Sequence, residues 1–131
     1  MGAPEREVIA VIGDGGYQMT IQELGTIFQT QTAVKIVVLN NDFLGMVRQW
    51  QQMFFEKRYA STEMVNPDFV AIAKGYYLDA KKVDKREDLD AAVAEMIASD
   101  KPYFLEICVE KEANVFPMIP TGASVSEIRL T

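Results

Sequence analysis

The chain has no histidine at all. That one absence removes imidazole proton shuttles, His-based triads and most zinc sites. The single cysteine, Cys108, has no partner for an internal disulfide. It falls in an expected strand, so a reducing compartment, the cytoplasm, is the expectation. No run of Lys and Arg forms a basic stripe, and the net charge is −6. Phosphate-backbone affinity depends on clustered cations, which argues against a nucleic-acid partner. No apolar stretch approaches the roughly eighteen residues of a membrane span, so no membrane association is expected. Met1-Gly2-Ala3-Pro4, followed by charged residues, does not read as a signal peptide. Repeats, low-complexity tracts and linkers are also missing. Any chemistry must come from carboxylates, amides, backbone groups or a bound cofactor.

What is present fits one α/β domain of 131 residues, 49% hydrophobic and 24% charged. Two apolar runs, Val8 to Ile12 and Val34 to Leu39, suit strands buried on both faces of a parallel sheet. Gly13-Asp14-Gly15-Gly16 follows the first and Asn40-Asn41 the second. If the strands are parallel neighbours, Asp14 and Asn41 meet across a crevice where open α/β sheets bind ligands. Between them Gln18 to Thr30 reads as a helix with Ile21, Leu24, Ile27 and Phe28 inward. Met46 to Phe55 resumes helical spacing. Asn66-Pro67-Asp68 predicts a helix start capped by Asn66, with Phe69, Ile72, Ala73 and Tyr76 as its buried stripe. Tyr77 to Val83 is a weaker strand. Asp84 and Glu87 form an expected capping box before a helix with Leu89, Val93, Met96 and Ile97 on its apolar face. Pro102 to Val109 is the last strand. Four strands and four helices predict a three-layer α/β/α, doubly wound, mainly parallel sheet.

Gly-rich turns between a strand and a helix normally cradle phosphate with free amides and the helix dipole. The dinucleotide fingerprint fails here because its third glycine would be Gln18, and no Gly-Lys pair supplies a nucleotide-hydrolase loop. A carboxylate beside a bare phosphate is repulsive, so Asp14 makes sense there only with a cation between them. Oxygen ligands without His or Cys select a hard ion such as Mg²⁺. Asn41 can add an amide oxygen and a loop residue near Phe43 a carbonyl. The competing reading stays open on these residues alone: Asp-Gly is a common tight-turn pair, and Asn-Asn at a strand end is often only a turn.

Spacing adds to this. Gly13-Asp14-Gly15, then twenty-four residues (16–39), then Asn40-Asn41 resembles the binding motif of thiamine-diphosphate enzymes. Within that family, residues 40–51, with Ile21-Gln22-Glu23-Leu24, Asn66-Pro67-Asp68-Phe69 and Phe116-Pro117-Met118-Ile119-Pro120, resemble the large subunit of acetolactate (acetohydroxyacid) synthase. The resemblance implies Mg²⁺ on Asp14, Asn41 and the Phe43 carbonyl. It implies thiamine diphosphate held by Gly13, Asp14, Gly15, Gly16, Asn41, Phe43, Leu44, Gly45 and Met46. It also implies a 2-ketoacid pocket formed by Met46, Val47 and Trp50, although a Met-aromatic stripe at helical spacing can equally be core.

Such synthases are several times longer, so residues 1–112 are expected to be part of the diphosphate-binding domain and 113–131 a tail covering the active site in the intact enzyme. By resemblance, a pyrimidine-binding domain carrying the activating glutamate, an FAD-binding domain, a second subunit and a regulatory small subunit are partners outside this chain. No catalytic residue is expected within it, and the isolated chain is expected to be inactive. Glu23 reads as a structural or solvated residue and Arg48 as an exposed helix arginine. Other functions stay open: another thiamine-diphosphate carboligase, a 2-ketoacid oxidase, or a non-catalytic interaction module that retains the fold. In the family's larger sheet Val8 to Ile12 would have further neighbours, so here it is expected to be an apolar edge.

Overall fold

In the computed structural model, which describes residues 5–130, four parallel strands form one sheet. The readings of Met1-Gly2-Ala3-Pro4 and of Thr131 lie outside the described residues. The strands are β1 (Val8–Gly13), β2 (Val34–Asn40), β3 (Asp79–Val83) and β4 (Tyr103–Cys108), in the order β1-β2-β4-β3. The helices are α1 (Asp14–Thr20), α2 (Glu23–Thr30), α3 (Gly45–Phe54), α4 (Phe69–Gly75) and α5 (Leu89–Ala98). Among the described residues no helix is long and apolar enough to cross a membrane.

Strand alternation divides the apolar side chains between two faces. Ile36, Val38 and Phe104 pack with Tyr17, Leu24, Phe69 and Ala73, so α1, α2 and α4 cover one face. Val37, Tyr103, Leu105 and Val83 pack with Ala92 and Met96 of α5 on the other. This is the expected three-layer α/β/α sheet. Gly13 pairs with Leu39, and Asn40 with Cys108, so β1, β2 and β4 end nearly level along one rim.

Lys35 interrupts the apolar sequence of the central strand β2, yet its side chain is fully buried. Its ammonium donates to the carbonyls of Ser99 (2.8 Å) and Lys101 (2.6 Å) and pairs with Glu7 at 3.4 Å. The charge is therefore tolerated because all three contacts replace lost water.

Several local expectations need correction. The helix expected from Gln18 to Thr30 is two helices, and the first starts at Asp14, directly after β1. Gly13 caps it in extended geometry (φ −77°, ψ 160°), so the glycine turn is itself the first helical turn. The break at Ile21 and Gln22 is a tightened turn in which Leu24 and Gly25 donate to the carbonyls three residues back. Asp68, rather than Asn66, caps α4: its carboxylate accepts from the Ala71 amide at 2.8 Å. Asn66 is drawn away into polar contacts described below. Asp84 caps nothing. It pairs with Lys82 at 3.8 Å, and the short 3-10 turn Arg86–Asp88 starts from Lys85 without a side-chain cap. On α5 the inward face is Leu89, Ala92 and Met96, while Val93 and Ile97 are exposed.

β1 lies at the edge of the sheet as expected, and so departs from the reading of a strand buried on both faces. Its apolar run is not buried on both faces: Ile9 is 45% and Val11 64% exposed. Helix α5 reaches across β4 only as far as Val37, and the outer edge of β1 pairs with no strand among the described residues. A free edge carrying exposed Val and Ile is a template for pairing with another chain. The isolated chain is accordingly predicted to self-associate through β1, and Val11→Lys to shift it toward monomer. Sedimentation velocity over a concentration series checks this; a clean monomer at the highest concentration would refute it.

Candidate functional site

At the rim where β1 and β2 end lies a cleft of about 530 Å³, within the size range of small-molecule sites. Gly13, Asp14, Gly15 and Gly16 enter it from the β1–α1 junction, Asn41, Phe43 and Leu44 from the loop after β2, and Gly45, Met46 and Val47 from the first turn of α3. The structure thus brings together every residue expected around the diphosphate and the ion. Trp50 is not among the lining residues; it is half-buried further along α3, against the Phe54 ring at 4.8 Å. Leu39, Val109, Glu110 and Ala113 also line the cleft and were not anticipated. Leu39 ends an apolar strand, and the others follow β4, whose position beside β2 no local sequence signal announces.

Local geometry explains the residue types. A Cβ on Gly15 would sit 2.7 Å from Leu44 Cδ2, so the absence of a side chain lets the α1 start and the β2 loop meet. A Cβ on Gly13 would meet nothing within 4 Å, because that side of the turn faces open cleft. The loop after β2 is shaped by two overlapping asparagine turns. Asn40 Oδ1 accepts from the Asp42 amide at 3.1 Å, and Asn41 Oδ1 from the Phe43 amide at 3.2 Å. Asp42 adopts φ 54°, in the left-handed region that Asp tolerates. Backbone bonds from Leu44 to Thr62 and from Met64 to Asp42, both 2.8 Å, pin the loop to the segment before α4.

The two asparagines have separate roles. Asn40 is buried and turns inward, donating from Nδ2 to Glu106 Oε1 at 2.8 Å, whereas Asn41 lines the cleft. Asp14 is 1% exposed and accepts from Asn66 Nδ2 at 2.7 Å. Glu106 is buried and pairs with Lys82 at 3.4 Å. Burial opposes the charged form of Lys82, but the Glu106 and Asp84 carboxylates outweigh it and raise its pKa above the ordinary lysine value. Burial, with a hydrogen bond to Asp84, pushes the Cys108 thiol up to about 11.

Arg48 is a correction: it is 4% exposed, not a solvated helix arginine. It pairs with Glu112 at 3.3 Å and stacks over the rings of Phe43 and Tyr59. Gln49 completes this attachment by exchanging two hydrogen bonds with the Val115 backbone, at 2.8 and 3.0 Å. The tail therefore lies along α3, and only its start, at Ala113, reaches the cleft. Glu23 is exposed at the start of α2, as expected, and accepts from Thr26.

Chemically, the cleft offers oxygen donors and amides. Asp14 and Glu110 are its charged residues, and none of the described lining residues is Lys or Arg. A polyanion there would meet negative charge unless a cation came with it. Among the described residues no three His, Cys, Asp or Glu side chains converge as a metal cage. One carboxylate, an amide oxygen and a carbonyl suit Mg²⁺, which keeps waters and takes further ligands from phosphate oxygens. The first amides of α3, at Gly45, Met46 and Val47, have no earlier helical carbonyl to bond and add positive potential at the same rim.

Comparisons with known proteins agree with this arrangement. A family model described as the thiamine pyrophosphate enzyme C-terminal TPP-binding domain matches residues 1–107. The isozyme 2 large subunit of acetolactate synthase from Escherichia coli is 42% identical over 126 residues, which is 95% of this chain and 23% of that protein. The mitochondrial catalytic subunit of acetolactate synthase from Saccharomyces cerevisiae is 42% identical over 124 residues, 95% of this chain and 18% of that protein. This chain therefore spans about a fifth of the length of these relatives. Among solved structures, a thiamine diphosphate-dependent 4-hydroxybenzoylformate decarboxylase from Rhodococcus jostii RHA1 superposes with a TM-score of 0.77 at 30% identity, over 82% of this chain and 20% of that one.

Removing Asn40 should cost more than an ordinary surface substitution. Asn40→Ala takes the donor from buried Glu106 and the acceptor from Asn66 and the Asp42 amide. The expected loss is about 2 kcal/mol of unfolding free energy, read from urea denaturation; an unchanged midpoint would contradict the structural role given to Asn40.

Proposed function

The chain belongs to the thiamine pyrophosphate enzymes, matching their C-terminal TPP-binding domain, and from that premise we propose that it is the cofactor-anchoring portion of an acetolactate synthase large subunit. The observation that carries this reading is the cleft that gathers Asp14, Asn41 and Phe43 at the ends of two parallel strands, with no cationic side chain among its described lining residues. The names of the two acetolactate synthase relatives support the synthase assignment.

In this reading the Asp14 carboxylate, the Asn41 amide oxygen and the Phe43 carbonyl hold Mg²⁺. Backbone amides of Gly15, Gly16, Gly45 and Met46 meet the diphosphate. Thiamine diphosphate supplies, when bound, a thiazolium carbon that serves as nucleophile and electron sink. The work of this chain is to fix the far end of that molecule so that its ring is held in one place. Met46 and Val47, 52% and 47% exposed at the cleft, offer apolar surface to the ring and to a 2-ketoacid.

The whole protein would condense two pyruvates, or pyruvate with 2-ketobutyrate, with loss of carbon dioxide, in branched-chain amino acid biosynthesis. Its other domains would bind the pyrimidine ring and FAD, and it would work as a homo-oligomer with a regulatory small subunit. A cytoplasmic setting is part of this reading, resting on the single cysteine of the sequence, Cys108, which has no partner in it for a disulfide. A second reading, a decarboxylase or another carboligase acting on a different 2-ketoacid, is favoured by the likeness to the solved decarboxylase.

Calorimetry tests the anchoring. The chain should bind thiamine diphosphate only when Mg²⁺ is present, and Asp14→Ala should abolish the signal; binding that ignores Mg²⁺ or survives the substitution would refute the assignment. With pyruvate and both cofactors, the 131-residue chain alone should form no acetolactate.

A further inference from the structure

Asn66 lies just before α4, remote in sequence from both glycine turn and asparagine pair, and is not among the residues lining the cleft. Its amide nitrogen nevertheless stands 2.7 Å from Asp14 Oδ2, 2.9 Å from Asn40 Oδ1 and 3.1 Å from Asp42 Oδ1. Its oxygen accepts from Gln18 Nε2 at 2.7 Å. An amide nitrogen has two hydrogens, so three acceptors at these distances share them, the shortest contact being to Asp14. The orientation is determined by chemistry. Turned over, the amide would set its oxygen against two carboxylates and its nitrogen against the nitrogen of Gln18.

The amide is also held from behind. Asn40 donates to Glu106 at 2.8 Å, and Glu106 pairs with Lys82 at 3.4 Å. A continuous polar line, Lys82–Glu106–Asn40–Asn66–Asp14, thus crosses the end of the sheet from β3 to α1. Every link is a side chain whose own rotation is limited by the next.

From this juxtaposition we infer that Asn66 is a positioning residue for Asp14: it occupies Oδ2 and reserves Oδ1 for a divalent cation. The inference rests on the cofactor reading given above. The last torsion of an aspartate is broad and nearly two-fold, so without a fixed donor the carboxylate has no preferred oxygen to present. A neutral donor suits the task better than an ammonium or guanidinium. It satisfies one oxygen of a buried carboxylate without adding a positive charge that would repel the incoming ion.

The test is the Mg²⁺ concentration needed for half-maximal thiamine diphosphate binding, titrated by calorimetry on the full chain, with ligand-free melting recorded alongside. Asn66→Ala should raise that concentration by roughly tenfold or more, as for other groups that orient a metal ligand. Gln18→Ala removes only the exposed partner of Asn66 on α1 and leaves the core intact; it should raise the requirement in the same direction by less. A merely structural Asn66 would lower the melting temperature and leave the Mg²⁺ requirement unchanged in both variants, which would overturn the proposal alone. Failure of the wild-type chain to take up thiamine diphosphate at any Mg²⁺ concentration would overturn the cofactor reading and this inference with it.

Discussion

A carboxylate almost fully removed from water at the end of a parallel strand is the constraint on which the rest of this structure turns. Asp14 is buried at the start of α1, and an unpaired charge in that setting would be costly. The protein meets that cost with amides. Asn66 bonds it directly, Asn40 holds Asn66, and Glu106 and Lys82 close the line at the far side of the sheet. The arrangement requires β1, β2, β4 and β3 to end at one level, which the parallel register provides. Gly15 suits it as well, since a Cβ there would sit 2.7 Å from Leu44 Cδ2 and the Leu44 side chain would have to shift. Site and fold are therefore the same set of contacts at this rim.

That coupling explains which parts were legible in the sequence. The glycine turn Gly13 to Gly16, Asn41 and the Phe43 carbonyl could be read because each follows an apolar run, and the end of a parallel strand is where such a sheet binds ligands, whereas Leu44, Gly45, Met46 and Val47 were reached only through the resemblance to acetolactate synthases. The sheet itself was legible for the same reason. Asn66 was misread because the local pattern Asn-Pro-Asp offers two plausible caps, and only tertiary contacts decide that Asp68 takes the helix while Asn66 serves Asp14. Arg48 was misread because its burial depends on Glu112, Phe43 and Tyr59, none of them a helical neighbour. The boundary of α1 was missed because two glycines suggest a turn, whereas here they form helix with Gly13 as an extended cap. Local chemistry and the family resemblance thus located the site, and long-range contacts set which side chain does what within it.

The uncovered face of β1 and the cleft belong to one surface. Val11 lies on the bare face of β1, Leu39 ends the neighbouring strand on that same face, and Leu39 in turn lines the cleft beside Gly13. Met46 and Val47 extend the apolar area on the other side of the opening. An anchoring site that fixes one end of a long cofactor has to stay open where the rest of that molecule emerges. On the proposed reading, the other domains of a synthase would complete this surface, and the exposed valines and isoleucine would not remain in water.

The ionisable groups point to the same division of labour. Burial raises the Tyr17 and Tyr103 phenols and brings the Cys108 thiol to about 11. Lys82 is raised by its carboxylate neighbours, and Glu95 is lowered by its hydrogen bonds to Lys81 and Tyr103. Each of these shifts moves a group away from neutrality, so each reinforces the protonation state it already has at pH 7. General acid–base catalysis asks for the opposite, a group tuned toward the working pH. With no histidine in the chain, Lys82 and Cys108 near the ends of β3 and β4 are both shifted away from the working pH, and on the proposed reading the movement of protons would fall to groups outside this chain.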